Sequence, residues 1–159
     1  MKDKEPFLQQ VFAHQAIIHK ICRMYRDTKE DREDLFQEII YQLWKAYGGY
    51  RGDARITTWM YRIGLNTAMA TFRKPKPEHA SLEEHVALPG MADLPPEDEN
   101  SERLFSAIRQ LQEADRALLS LYFEDMSYAE MGEVLGISES NVGARLTRVK
   151  AKLRKQLKV

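Results

Sequence analysis

The sequence holds one cysteine in 159 residues, Cys22. Without a second thiol the chain cannot close a disulfide on itself or assemble a cysteine-based zinc site. Its four histidines, His14, His19, His79 and His85, show no metalloprotease spacing, and neither a nucleophile elbow nor a phosphate loop is present. No metal, no cofactor and no catalysis are therefore expected. No apolar run approaches membrane-spanning length and the N-terminus lacks a signal-peptide pattern, which predicts a cytoplasmic protein with no membrane insertion. Proline is scarce outside one window: five of the six fall between positions 75 and 96. Net charge is absent too, since 24 basic residues meet 24 acidic ones. That balance removes the simplest argument for a nucleic-acid partner.

The charges are nevertheless unevenly spread. Residues 1–74 carry 13 basic and 9 acidic groups, residues 75–102 carry 1 and 8, and residues 103–159 carry 10 and 7. Two basic modules thus flank an acidic, proline-rich connector that lacks periodicity and reads as a flexible linker. The reading is an all-α chain of two small helical domains, 1–75 and 101–159, joined by a linker over 76–100.

The last third shows the densest helix signals. Ser127 followed three residues later by Glu130 forms a capping box, and the helix it opens runs through Met131, Val134 and Leu135 to Gly136, a residue suited to a left-handed helix end. Ser138 then restarts a helix, and Val142, Leu146, Val149, Leu153 and Leu157 follow as one apolar stripe. The face away from that stripe carries Ser140, Asn141, Ala144, Arg145, Arg148, Lys152 and Lys155, and no acidic residue occurs after Glu139. A short capped helix, a tight turn and a longer basic helix match the helix-turn-helix, whose second helix enters the major groove of DNA. An amphipathic helical hairpin with a solvated basic face is the plainer reading of the same pattern. Two supporting helices, from Ser101 to Gln110 and from Glu113 to Phe123, would complete a four-helix domain.

The N-terminal module reads as three helices. The first runs from Pro6 to about Arg26, with Cys22 as a small buried thiol beside Ile17, Ile18 and Ile21. A second begins near Asp31 and ends at Tyr47, before Gly48 and Gly49. Its apolar half faces a core, while Asp34, Gln37, Glu38, Tyr41, Gln42 and Lys45 form a polar half on which Tyr41 stands out as a protein-contact anchor or a lone exposed tyrosine. After a loop at Tyr50-Arg51-Gly52-Asp53, a third helix is expected from Ala54 to Arg73. It aligns Arg55, Trp59, Arg62 and Asn66, with Arg73 beyond. Guanidinium groups for phosphate, an aromatic for stacking and an amide for a base edge suit unpaired bases better than a duplex. The competing reading puts Trp59 in the core with the arginines solvated.

These stretches resemble the bacterial RNA polymerase sigma factors of the extracytoplasmic function group, which keep the second and fourth conserved regions. Asp31-Arg-Glu-Asp-Leu-Phe-Gln-Glu-Ile-Ile-Tyr-Gln-Leu-Trp44 is similar to the entry into the helix that docks on the polymerase β′ clamp helices. Thr58-Trp-Met-Tyr-Arg-Ile-Gly-Leu-Asn66 is similar to the promoter-melting segment. Ser127 to Ser138, followed by Asn141-Val-Gly-Ala-Arg-Leu-Thr-Arg148, is similar to the reader of the −35 element.

The resemblance implies that domain 1–75 binds core polymerase and melts the −10 element, and that domain 101–159 recognises the −35 element. It makes Asp34, Gln37, Glu38 and Tyr41 the polymerase contact, and Tyr50, Arg55, Trp59, Arg62 and Asn66 the single-strand surface. Tyr50 and its loop correspond to the segment that captures a flipped base. Ser140, Asn141, Ala144, Arg145, Thr147, Arg148 and Lys152 become the duplex reader. Gly143-Ala144 departs from the basic residue and serine often found there, shifting weight to Asn141, Arg145, Arg148 and DNA shape. Implied partners are core polymerase at its β′ clamp helices and β flap, promoter DNA and an anti-sigma factor that could hold the protein at the inner membrane. A stand-alone helix-turn-helix regulator of duplex operators is the alternative, and it leaves the Trp59 stripe unexplained.

Overall fold

The computed structural model describes residues 4–73 and 98–158, and among these it is entirely helical. The chain divides into two compact units, Met1–Pro95 and Pro96–Val159. The anticipated linker lies outside the described residues except at 98–100, where a helix has already begun: Asp98 accepts from the Ser101 N–H at 2.6 Å and caps it.

The first unit contains α1 (Lys4–Ala13), α2 (Gln15–Tyr25), α3 (Lys29–Tyr47) and α4 (Ile56–Arg73). The single helix expected from Pro6 to Arg26 is therefore two, which corrects the three-helix count to four. The chain turns at His14, whose N–H donates to the Val11 carbonyl. Two different contacts demand the break. Phe7 of α1 sits edge-on to both Trp44 and Tyr47 of α3, at 5.1 Å each, whereas Ile18, Ile21, Met24 and Tyr25 of α2 fill the centre of the unit. The polar pair His14-Gln15 interrupts the apolar stripe at the turn.

Thr28 caps α3 by accepting from Asp31 N–H at 3.1 Å, so the helix starts slightly before its expected place. Leu35, Ile39 and Leu43 bury one side of it against α2 and α4. Gly64 permits a close approach of α4 to α2, because a methyl there would lie 2.8 Å from the Ile21 Cδ1. Arg26 fastens the α2–α3 turn to α4, its Nη2 donating to Thr71 Oγ1 at 2.8 Å and to the Ala68 carbonyl at 3.4 Å. Cys22 is buried, and that burial pushes its thiol pKa far up.

The second unit contains α5 (Glu99–Arg109), α6 (Glu113–Tyr122), α7 (Tyr128–Leu135) and α8 (Glu139–Leu157). Every residue of α6 from Asp115 to Leu121 is buried, and the helix packs against α7 and α8. Val142, Leu146 and Val149 close this core from α8. An apolar stripe on one side of α8 leaves the opposite side available.

Candidate nucleic-acid interface

Local chemistry fixes the α7–α8 turn. The Ser127 Oγ accepts from Glu130 N–H at 3.1 Å while Glu130 Oε1 accepts from Ser127 N–H at 3.0 Å, so the capping box is closed in both directions. Gly136 takes φ 74°, and its N–H and that of Ile137 both donate to the Gly132 carbonyl, at 2.7 and 3.0 Å. Ser138 caps α8 by accepting from Asn141 N–H at 3.2 Å. A glycine outside the expected signals is also required: a methyl on Gly132 would sit 2.5 Å from the Ile137 carbonyl oxygen. Its signal in the sequence was only a glycine inside a helical pattern.

Beyond that turn α8 presents one continuous outer face. Ser140, Asn141, Ala144, Thr147, Arg148 and Lys152 are exposed, and Arg145 is half-buried at its edge. Ser140, Asn141, Ala144, Thr147 and Arg148 thus lie away from the core, while Arg145 and Lys152 stand on the flank nearer α6. Thr147 donates its hydroxyl proton to the Gly143 carbonyl at 3.1 Å, leaving the oxygen to accept from a ligand. Gly143 lies under the exposed Tyr128, whose ring carbon would meet a methyl at 3.4 Å. Lys150 is turned from this face and rests over the Tyr122 ring at 4.2 Å. Asp115, a residue sequence reasoning missed, approaches Arg145 at 3.7 Å and Lys152 at 3.4 Å. Only a contact across thirty residues reveals it.

In the first unit, Asp34, Gln37, Glu38 and Tyr41 share one side of α3, all half-buried rather than fully solvated. Gln42 donates to Glu38 Oε2 at 2.9 Å, and the Lys45 ammonium lies 5.3 Å from the centre of the Tyr41 ring. Tyr41 is thereby held against its own helix as an oriented aromatic with a cation beside it.

The α4 stripe differs from expectation at its centre. Arg55 and Asn66 are exposed and Arg62 is half-buried, but Trp59 retains only 8% exposure. Trp59 is a core residue, not an open stacking platform. Its ring lies 4.9 Å from Tyr50 and 6.4 Å from Tyr47, and so joins the aromatic group begun by Phe7. The reason is enclosure, since Thr58, Trp59, Met60 and Tyr61 are consecutive and all buried. At 100° per residue such a run covers nearly the whole circumference, so at this turn the helix has no free side. Tyr50 covers Trp59 and donates its hydroxyl to the Ala54 carbonyl at 2.7 Å. The loop is consequently anchored, with Tyr50 half-buried.

No helix among the described residues is long and apolar enough to cross a membrane, and no group of metal-ligating side chains occurs among them.

Two family models match this chain in order. Sigma-70 region 2 covers residues 11–77, and sigma-70 region 4 covers residues 101–153. The chain is 31% identical over 170 residues to the RNA polymerase sigma-H factor of Pseudomonas aeruginosa, covering 98% of this chain and 88% of the relative. Identity to the ECF RNA polymerase sigma factor SigM of Mycobacterium tuberculosis is 26% over 156 residues, covering 98% and 79%. In fold it is similar to the sigma factor RpoE of Bartonella quintana, solved in complex with the anti-sigma factor NepR, with a TM-score of 0.72, 15% identity and 98% of each chain covered. With both regions present in order and relatives matched along most of their length, the chain belongs to the sigma-70 family, in its extracytoplasmic function group.

Proposed function

We propose that this sigma factor divides its task between two chemically different surfaces. The protein binds core RNA polymerase, directs it to promoters and promotes strand opening. In this reading the polar side of α3, with Asp34, Gln37, Glu38 and Tyr41, docks on the β′ clamp helices, and the second unit meets the β flap. The outer face of α8 reads the −35 element as duplex. Arg55, Arg62 and Asn66, together with the Tyr50 loop, hold the −10 bases once unpaired. Trp59 supports that surface from beneath by fixing Tyr50. Domains 1–75 and 101–159 carry these two tasks, the second opening with the helix that Asp98 caps.

The observation that carries the reading is the exposed outer face of α8, with no acidic residue after Glu139, on a doubly capped turn, in a chain that also has region 2. The protein contributes no bond-making step, because the polymerase supplies the chemistry. An anti-sigma factor is its expected regulator, as for the sigma factor bound to NepR, and its action places it in the cytoplasm or at the inner membrane through that partner. Run-off transcription with purified core polymerase on genomic fragments tests the reading. Addition of the protein should produce discrete transcripts that core alone does not make. Duplex binding by the free protein at one operator, with no polymerase-dependent transcript, would instead identify a stand-alone regulator.

A further inference from the structure

We propose that Asp115 is a positioning residue for DNA recognition, an internal substitute for a phosphate that restrains two cations of α8. The inference rests on the reading of α8 as the duplex-binding helix. Asp115 stands in the first turn of α6, where a carboxylate is favoured by the helix dipole, and its side chain is only 9% exposed. Its Oδ1 lies 3.7 Å from an Arg145 guanidinium nitrogen and its Oδ2 lies 3.4 Å from the Lys152 ammonium. Arg145 and Lys152 are seven residues apart, two turns along one flank of α8, and α6 packs directly beneath that helix.

A nearly buried carboxylate needs a compensating charge, so neither cation can turn fully to DNA without leaving Asp115 partly uncompensated. The trio carries one net positive charge instead of two. Arg148, exposed on the outer face, is under no such restraint from Asp115. Asp115 therefore lowers the charge-driven, sequence-independent part of DNA binding, which is the part that depends most on salt. Sites offering good base contacts gain relative to those offering only phosphate. Discrimination improves while gross affinity falls.

The test uses holoenzyme assembled from the full chain and core polymerase. Affinity is measured over a salt series on a promoter found by run-off transcription and on the same fragment with its −35 element scrambled. Asp115→Asn, which keeps size and removes charge, should steepen the logarithmic salt dependence by about 0.9, as for one added phosphate contact, and raise affinity for the scrambled fragment about threefold. Preference for the intact promoter should fall accordingly. A folded Asp115→Asn protein with unchanged salt slope and unchanged preference would overturn the proposal. So would lower affinity at every salt concentration with no change in slope, the signature of a purely structural acid.

Thermal melting checks that the variant folds. Should it not, two surface variants decide the matter: Arg145→Ala should flatten the slope by less than half as much as Arg148→Ala, because Asp115 already engages Arg145. Equal flattening would overturn the proposal. If Arg148→Ala leaves both the affinity and the slope unaltered, α8 is not the DNA-facing helix and the parent reading falls with the inference. If Arg148→Ala flattens it but Asp115→Asn changes nothing, only the inference fails.

Discussion

α8 and α4 are nearly equal in length, at 19 and 18 residues, yet they expose themselves in opposite ways. α8 rests on its unit along one stripe, so its apolar period marks the inner side and whatever remains is surface. α4 is held by α2, by α3 and by the loop that precedes it. For α4 the period of apolar residues cannot separate inside from outside, because at Thr58–Tyr61 almost everything is inside. The lesson concerns aromatic residues in particular. A tryptophan aligned with arginines and an asparagine looks like a stacking platform, but its large area is also what an enclosed helix buries first.

Substitutions at the centre of each helix system sharpen this contrast. The largest effect is expected for Trp59→Ala, which should lower stability by about 3–5 kcal/mol, as for a large core aromatic. Urea unfolding of the full chain measures it, and a loss under about 0.5 kcal/mol would return Trp59 to the surface. Next comes Gly132→Ala, where the methyl meets a backbone carbonyl oxygen that cannot rotate away. A destabilisation of about 1–3 kcal/mol is expected, and thermal melting should show it. Wild-type stability in that variant would mean the turn is looser than its hydrogen bonds indicate.

Arg148→Ala should leave folding intact and weaken promoter binding by about 1–3 kcal/mol if the arginine contacts a base edge, or reduce the salt slope by about 0.9 if it contacts phosphate. Titration at several salt concentrations tells these apart, and no change in either would remove α8 from the interface. The smallest effect is expected at α3. Glu38→Lys reverses a half-buried surface charge and should weaken binding to core polymerase by about 1 kcal/mol or less, with helical content unchanged by circular dichroism. Fluorescence titration with core polymerase gives the affinity, and an unaltered value would move the docking surface elsewhere.

Much of this was legible in the sequence where the governing interactions are local. The caps at Ser127 and Ser138 and the left-handed Gly136 are set by residues within a few positions of each other, and all appear as expected. The outer face of α8 follows from a single apolar stripe, Val142, Leu146 and Val149, which buries the inner side against α5, α6 and α7. The break at His14 was hard to see because Ile18, Ile21 and Tyr25 resume in phase with Phe7 and Val11, so its one mark is the polar His14 at a stripe position. Long-range pairs were equally hidden. Neither the Asp115 contact with Arg145 and Lys152 nor the seating of Tyr50 over Trp59 leaves a mark in nearby residues. The Gly132 requirement arises from the path of the chain five residues later.

The central claim is that one unit reads unpaired bases while the other reads duplex, and Asn66 tests it most directly. Its amide is exposed on α4, so Asn66→Ala should alter contacts without unpacking the core. A pre-opened promoter bubble removes the cost of unpairing while keeping contacts to exposed bases. Holoenzyme affinity for such templates should fall for Asn66→Ala when the preferred −10 base is present, and should be near normal when that base is changed. An equal defect on both templates would contradict the account and show that Asn66 serves structure and not sequence recognition.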